Sequence, residues 1–596
     1  MLRTLRRFVL PTMLISVCLL PALTTFAQER TAQTPIDPRR EQALVALENI
    51  LSEAKGYEDR ILQVRVKAQI ADVLWSLEPE RARELLVAAF QEVAELKADL
   101  ADRYIVRAEV AAIARRHDPE LASRLIAKLA EAAGGEERLS RDSLERISER
   151  GALSLDSARD FLGNGEQARA LAFARRSLAE GRSAQLLWFL SELRERDGAA
   201  ADRLFLDAVG ALRQAPADPN DVLLLGLYLF YPGSVAVGTL SDGVEAVGYG
   251  VNFSLAPPVS PALAQAYLQA AADALLRFPV TPGLPGAAGS IALKRFALTQ
   301  LLPLFQLYEP RRLAAVGATL AGLGQPTTPP RVTADAKPSV DGNAPVSDVI
   351  KSIEQLPEAR QRDHYFFTTL RSATNEGSFE RARALAARIK EDDLRHMSLE
   401  FIGFNEARAH IKRGDLETAA KLAASTLTRE RRTAINFQLA KAWLERGDLA
   451  RAGEEANAAV AEAAKLANRA QRARIYIYLA AGLAEWDAAR AFELLEAAGT
   501  DINDTEHFDA LDDRLTFRIQ TPAPASFTFD ISSGVGLLPI ISQLAKTDFN
   551  RVLTMAQALR EPAPRALSII AACRAVINLN DQRPHKKRVM PTPARQ

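Results

Sequence analysis

One short break recurs along this chain, each time between two stretches that carry apolar residues at helical spacing. It sits within IADVLWSLEPERARELL from Ile70, VAAIARRHDPELASRLI from Val110 and LAAGLAEWDAARAFELL from Leu479. The break itself reads Glu78-Pro79, Asp118-Pro119 or Asp487-Ala488. Proline suits the first turn of a helix, where its missing N–H loses no bond. The acid before it can accept from the free amides and meets the positive end of the helix dipole. Each unit therefore reads as two antiparallel helices. Self-similarity of this kind is the signature of a stack in which one pair cannot bury its apolar face alone.

A second form of the break uses glycine. Gly165, Gly377, Gly414 and Gly447 are each followed five residues on by alanine, at Ala170, Ala382, Ala419 and Ala452. Glycine takes the left-handed conformation that ends a helix, and alanine lets the next helix approach closely. The segment LAKAWLERGDLARAGEEANAA places Leu439, Ala440, Trp443, Gly447, Leu449, Ala452 and Ala456 at the spacing of the tetratricopeptide repeat, which it resembles. EARAHIKRGDLETAAKLAA, from Glu406, follows the same pattern less closely. The close resemblance covers residues 406–460; elsewhere the chain looks like the wider α-solenoid class. That resemblance implies a scaffold for partners and identifies none. An arginine recurs too. Arg103, Arg432 and Arg472 each precede a small residue (Ala111, Ala440, Ala480) by eight positions, and LREPAPRALSI aligns Arg565 with Arg395 of IKEDDLRHMSL. A structural role, with the head group on carbonyls or acids, accounts for it.

The 596 residues exceed what one core organises. Residues 1–27 read as a signal peptide: Arg3, Arg6 and Arg7 form a basic start, residues 8–23 are uncharged, and Thr25-Phe26-Ala27 suits cleavage before Gln28. Prolines 11 and 21 interrupt an apolar run shorter than the roughly 20 residues of a membrane span. The chain is expected to be exported, periplasmic or extracellular, with no membrane span once processed. After processing only Cys573 remains, so no internal disulfide forms and packing must supply the stability. A net charge of +1 argues against a nucleic-acid partner. Residues 28–41 read as a flexible N-terminus, 42–324 as an N-terminal helical array, 325–346 as a proline-rich linker, 347–580 as a C-terminal array, and 581–596 as a basic tail.

Two segments interrupt the helical text. In residues 514–532, Leu515, Phe517 and Ile519, then Phe527, Phe529 and Ile531, alternate around a proline-containing turn, which predicts a β-hairpin. Residues 222–293 are poor in charge and rich in glycine and aromatics, with room for a second hairpin around 235–253. The expected fold is all-α: an α-solenoid of antiparallel helix pairs in two arrays, with one or two small β-hairpin insertions. Catalytic signatures are missing: there is no Gly-x-Ser-x-Gly, no phosphate-cradling loop with lysine and no HExxH. Glu506, His507, Asp509, Asp512 and Asp513 form the nearest constellation, more simply read as a solvated acidic loop. No cofactor or metal is expected. The leading reading is an exported scaffold for a protein or peptide, with Tyr228, Phe230, Tyr231, Tyr249, Phe253, Phe517, Phe527 and Phe529 as candidate anchors, since aromatics dominate interface energetics. The alternative is a cell-envelope enzyme or polymer-binding protein with its site beneath residues 222–293. The leader is directly testable: intact mass of the exported protein should place its first residue at or near Gln28, and retention of residues 1–27 would refute the assignment.

Overall fold

The computed structural model describes residues 37–132, 138–139, 145–214, 218–230, 235–239, 245–249, 260–280, 287–323, 345–356, 358–512, 514–520, 526–532 and 535–578. The expected linker falls outside these residues up to 344, as do the leader and the basic tail. In chain order the helices are α1 (Pro38–Ala54), α2 (Arg60–Leu74), α3 (Pro79–Glu92), α4 (Leu100–His117), α5 (Pro119–Ala132), α6 (Glu149–Gly163), α7 (Gln167–Ser177), α8 (Ala184–Arg196), α9 (Gly198–Gln214), α10 (Pro219–Phe230), α11 (Pro261–Arg277), α12 (Ala287–Tyr308) and α13 (Leu313–Gly322). Then come α14 (Val346–Glu354), α15 (Ala359–Asn375), α16 (Phe379–Ala386), α17 (Asp392–Arg413), α18 (Leu416–Thr426), α19 (Arg429–Glu445), α20 (Leu449–Ala464), α21 (Arg469–Leu483), α22 (Ala488–Asn503), α23 (Leu537–Ala545), α24 (Phe549–Gln557) and α25 (Pro562–Ile577).

The breaks form as their chemistry requires. Asp118 accepts from the Leu121 amide at 3.0 Å and Asp487 from the Arg490 amide at 3.1 Å. Glu78 caps nothing with its side chain. Gly165, Gly377, Gly414 and Gly447 take φ between 78° and 84°, where an L side chain is strained. The four alanines that follow them are fully buried. Ala440 and Ala452, on the paired helices α19 and α20, are likewise closed to solvent.

The recurring arginine is the fourth residue of its helix, and in four helices it donates back to the carbonyl six residues earlier. Arg362 reaches Leu356 at 2.8 Å, Arg395 reaches Ile389 at 3.0 Å, Arg472 reaches Leu466 at 2.7 Å and Arg565 reaches Leu559 at 3.5 Å. Gln63 does the same in α2, to Tyr57 at 2.6 Å. Arg432 occupies the same place in α19 and approaches Glu462 at 3.4 Å. Each bond satisfies a carbonyl of the connection entering the helix and so fixes how one pair joins the next.

The pairs are α2–α3, α4–α5, α6–α7, α8–α9, α10–α11 and α12–α13 in the first stretch, and α15–α16, α17–α18, α19–α20, α21–α22 and α23–α24 in the second, with α14 packed on α15 and α16. Among the described helices two are left over, α1 before the first pair and α25 after the last. They pack on each other, and α2 packs on α25. One unit of the stack is therefore split between the chain's two ends. The spatial array runs from α14 to α25, passes through α1, and continues to α13. One hydrophobic core accordingly spans residues from both stretches, while α14 to the middle of α17 build a smaller one around Phe366, Phe367 and Leu370. Neighbouring first helices lie against each other along most of the array, whereas second helices touch their counterparts less, apart from α9 and α11. Such wedge-shaped units curve the stack with the first helices on its inner side.

The join is polar as well as apolar. Asp72 of α2, with its side chain 5% exposed, accepts from Arg574 of α25 at 2.9 Å, from Arg116 of α4 at 2.9 Å and from His117 of α4 at 2.7 Å. Arg574 also donates to Gln69, Arg565 pairs with Glu53 of α1, and Arg40 donates to the Ile577 carbonyl at 3.2 Å. Burial alone would raise the Asp72 carboxyl; the His117 hydrogen bond and the Arg574 and Arg116 charges outweigh it and hold the group below the ordinary carboxylate range. Cys573, one residue from this cluster, is buried, its thiol pushed up to about 12.

Asp72→Asn should cost about 2 kcal/mol in denaturant melts near neutral pH, because it removes the charge-assisted hydrogen bonds that Arg574, Arg116 and His117 make to one buried carboxylate. A depressed folded-state pKa gives stability above the unfolded value that is lost as pH falls through the folded one. The gap between parent and variant should therefore close in acid. Equal melts at neutral pH would show that the join does not depend on this carboxylate.

Candidate partner-binding face

Both expected hairpins form. β4 (Val235–Thr239) pairs with β5 (Glu245–Tyr249), and β6 (Leu515–Gln520) with β7 (Ser526–Ser532). A small three-stranded sheet, β1 (Arg138–Leu139), β2 (Glu145–Ser148) and β3 (Gly181–Ser183), is an addition that sequence reading missed. Its strands are two to four residues long, too short to show alternation, and β3 comes from a distant connection.

The two hairpins lie on the same layer of the array. β5 rests on α10 and α12, and β6 on α17 and α21, all of them inner helices. Leu515 of β6 is 5% exposed and belongs to the main core, while Ile519 is fully buried in the smaller one. One strand thus ties the two cores together. Phe517 pairs with Phe529 and Ile519 with Phe527 in the strand register. The side chains of Phe517, Phe527, Phe529 and Tyr249 fall outside the described residues, as do Tyr231 and Phe253 entirely.

Tyr228 and Phe230 are not at a surface. They are 3% and 6% exposed, at the end of a helix buried nearly all round beneath β5. The Tyr228 ring lies 4.9 Å from that of Phe205, with the Arg194 guanidinium over the Tyr228 ring at 4.8 Å from its centroid. Phe230 lies 6.0 Å from Tyr267 and 5.9 Å from Tyr308. These two aromatics serve the core. An uncharged stretch read from sequence does not distinguish a helix buried on all sides from a presented surface.

Among the described residues the aromatic that is presented is Trp188. It is 56% exposed on the inner helix α8, whereas Trp75, Trp443 and Trp486 are half-buried. Leu186, Phe189, Leu190 and Leu193 face the core, so Trp188, Ser191 and Glu195 form the opposite arc of the helix, toward the inner side. Beside them the Gln185 carbonyl oxygen is buried with no hydrogen-bond partner among the described residues. The sequence signal was one tryptophan replacing a polar residue on the solvent arc of a regular amphipathic helix.

Along α25, α2, α4 and α6 the inner layer carries interleaved charges. Arg65 pairs with Glu109 at 2.8 Å, Arg107 with Glu149, Arg115 with Asp160 and Ser157, and the Tyr104 hydroxyl donates to Asp156 at 2.7 Å. Burial raises the Asp156 carboxyl above its ordinary value, against the Tyr104 hydrogen bond and the Arg115 charge. No three His, Cys, Asp or Glu residues among those described are placed to hold a metal. The acidic loop after α22 is structural: Asp509 accepts from the Leu511 amide at 2.9 Å, and Asp512 accepts from the Arg514 amide at 3.2 Å and pairs with Arg474 at 3.1 Å. Asp513 lies outside the described residues. No helix among those described is long and apolar enough to cross a membrane.

This is a helical-repeat protein by its own geometry. No family model and no curated protein matches the chain. Among solved structures, the APC/C hetero-tetramer Cut9-Hcn1 aligns at 12% identity over 90% of this chain and 96% of that one, with a TM-score of 0.18. A circular tandem repeat protein with novel repeat topology and enhanced subunit contact surfaces aligns at 14% identity over 92% and 95%, with a TM-score of 0.11. At TM-scores this low neither likeness bears on what this chain does.

Asp156 offers a pH test of the inner layer. A raised folded-state pKa favours the folded state below the unfolded value, and that contribution is lost as pH rises through the folded one. Asp156→Asn keeps an acceptor for Tyr104 and should melt above the parent at neutral pH. The difference should vanish as pH is lowered through the carboxylate range. A variant that melts below the parent at every pH would show that the charge on Asp156 is favourable where it stands.

Proposed function

We propose that this chain is an exported scaffold that holds a protein or peptide segment on the inner side of its curved array, with Trp188 as a principal anchor. The observation that carries the reading is the exposed Trp188 ring on α8, on the same inner layer that the two hairpins occupy. A half-exposed tryptophan is costly to leave in water and is enriched where a partner will cover it. The β6–β7 hairpin adds a wall on the inner layer at α17 and α21.

The test is capture of partners from an envelope extract by the full processed chain, read by mass spectrometry. Trp188→Ala should weaken capture of at least one specific partner by about tenfold or more, the scale of a buried aromatic anchor, with helical circular dichroism unchanged. Removal of residues 521–525 with Phe527→Ala should weaken the same partner if the hairpin borders the site. Identical partner sets for parent and Trp188→Ala would overturn the assignment.

A further inference from the structure

A cavity of about 140 Å³ opens on the outer side of the array, between α22 and α24 with α23 as its floor. Its walls are Leu495, Ile502, Leu537, Ile541, Met555 and Leu559. All except Met555 are at most 5% exposed. Two cross-links between α22 and α24 bound it. At one end Glu496 pairs with Arg551 at 2.7 Å. At the other the Asn503 side chain donates to the Ala558 carbonyl at 3.0 Å and accepts from the Arg560 amide at 2.7 Å. The distance between Glu496 and Asn503 along the helix is about two turns, on the order of 10 Å. The cavity is therefore a closed-ended pit, too short for a helix or strand to lie along it.

Its polar lining groups are engaged. The Thr500 hydroxyl donates to the Glu496 carbonyl at 3.2 Å, and Glu496 and Asn503 are held by the cross-links. An ion seated among the apolar walls would lose its water and find no new partner there, which disfavours it strongly. Gly499 stands between the two cross-links. A Cβ there would meet only the Leu559 Cδ2 atom at 3.8 Å, an ordinary contact, so no neighbour's backbone forbids a side chain and the pit is the space it would fill.

We propose that this pit binds a small, free, uncharged apolar molecule, a single aromatic ring or a branched aliphatic group in size. A cavity of about 150 Å³ lined by Leu, Ile and Phe is known to take benzene, and this one has comparable volume and wall chemistry. Seven or so apolar atoms in a preformed site give a dissociation constant on the order of millimolar or somewhat below. The site lies on the outer side, away from Trp188, so it stands or falls independently of the inner-face reading.

Toluene is the probe, added to the full chain carrying ¹³C-methyl methionine. The chain has five methionines, and only Met555 lines the pit. The Met555 methyl resonance should move saturably with toluene while the others stay in place. Gly499→Leu should fill the pit and abolish the movement, at unchanged or higher melting temperature. Gly499→Ala, which folds with less demand on the neighbours, should retain a saturable movement at weaker affinity. Absence of a saturable Met555 response in the parent would overturn the proposal. So would a response of the same size in Gly499→Leu, or one shared equally by all the methionines.

Discussion

Every pair in this array leaves an apolar face that only a neighbouring pair can cover, so the packing of one unit on the next holds the whole molecule together. That constraint is most acute where the chain starts and stops. α25 has the burial pattern of a central helix: from Ala566 to Ile577 every residue except Arg574 is closed to solvent. It reaches that state because α1, more than five hundred residues away in sequence, lies beside it as the missing half of its pair. The Asp72 cluster, drawing on α2, α4 and α25, fixes the register of that join with charge-assisted bonds that an apolar contact would not specify.

Joining the ends has a topological cost and a cooperative consequence. The split pair is made of contacts between residues 505 to 537 positions apart in sequence, so the loop-closure entropy falls on a single interface. Once formed, it converts two stretches into one continuous stack, since the main core runs through it. The smaller core around α15 and α16 is tied in by Ile519, which the β6 strand carries across the inner helices. The hairpin is thus an architectural brace as well as a boundary of the inner face.

The two sides of the array differ in chemistry. On the inner side, arginines and carboxylates alternate between neighbouring helices, with Trp188 as an apolar island on α8. On the outer side, an apolar pit opens between the two cross-links that join α22 to α24 and the turn after it. The β6–β7 hairpin is inserted between α22 and α23, so the pit and the brace belong to the same interruption of the repeat.

Periodicity, the acid-proline and glycine breaks, and the fourth-position arginine determine by themselves that this chain is a stack of helix pairs. Each acts within one unit or its immediate connection, at ranges where local geometry decides. The β6–β7 hairpin was legible for the same reason, as alternation around a turn, while the β4–β5 hairpin was signalled only by a charge-poor stretch rich in glycine and aromatics. The split pair was only half legible: α25 aligns with first helices but is the last described helix, and α1 precedes the first recognisable unit. That the two orphans meet is a matter of how each wedge-shaped pair rotates the next, a sum over many interfaces that no local pattern records. The same holds for the aromatics. Tyr228 and Phe230 read as candidates for a partner, and Trp188 passed unnoticed, because a side chain's exposure depends on what the rest of the array lays over its helix. Tertiary packing covered α10 with β5 and left the inner-facing arc of α8 open.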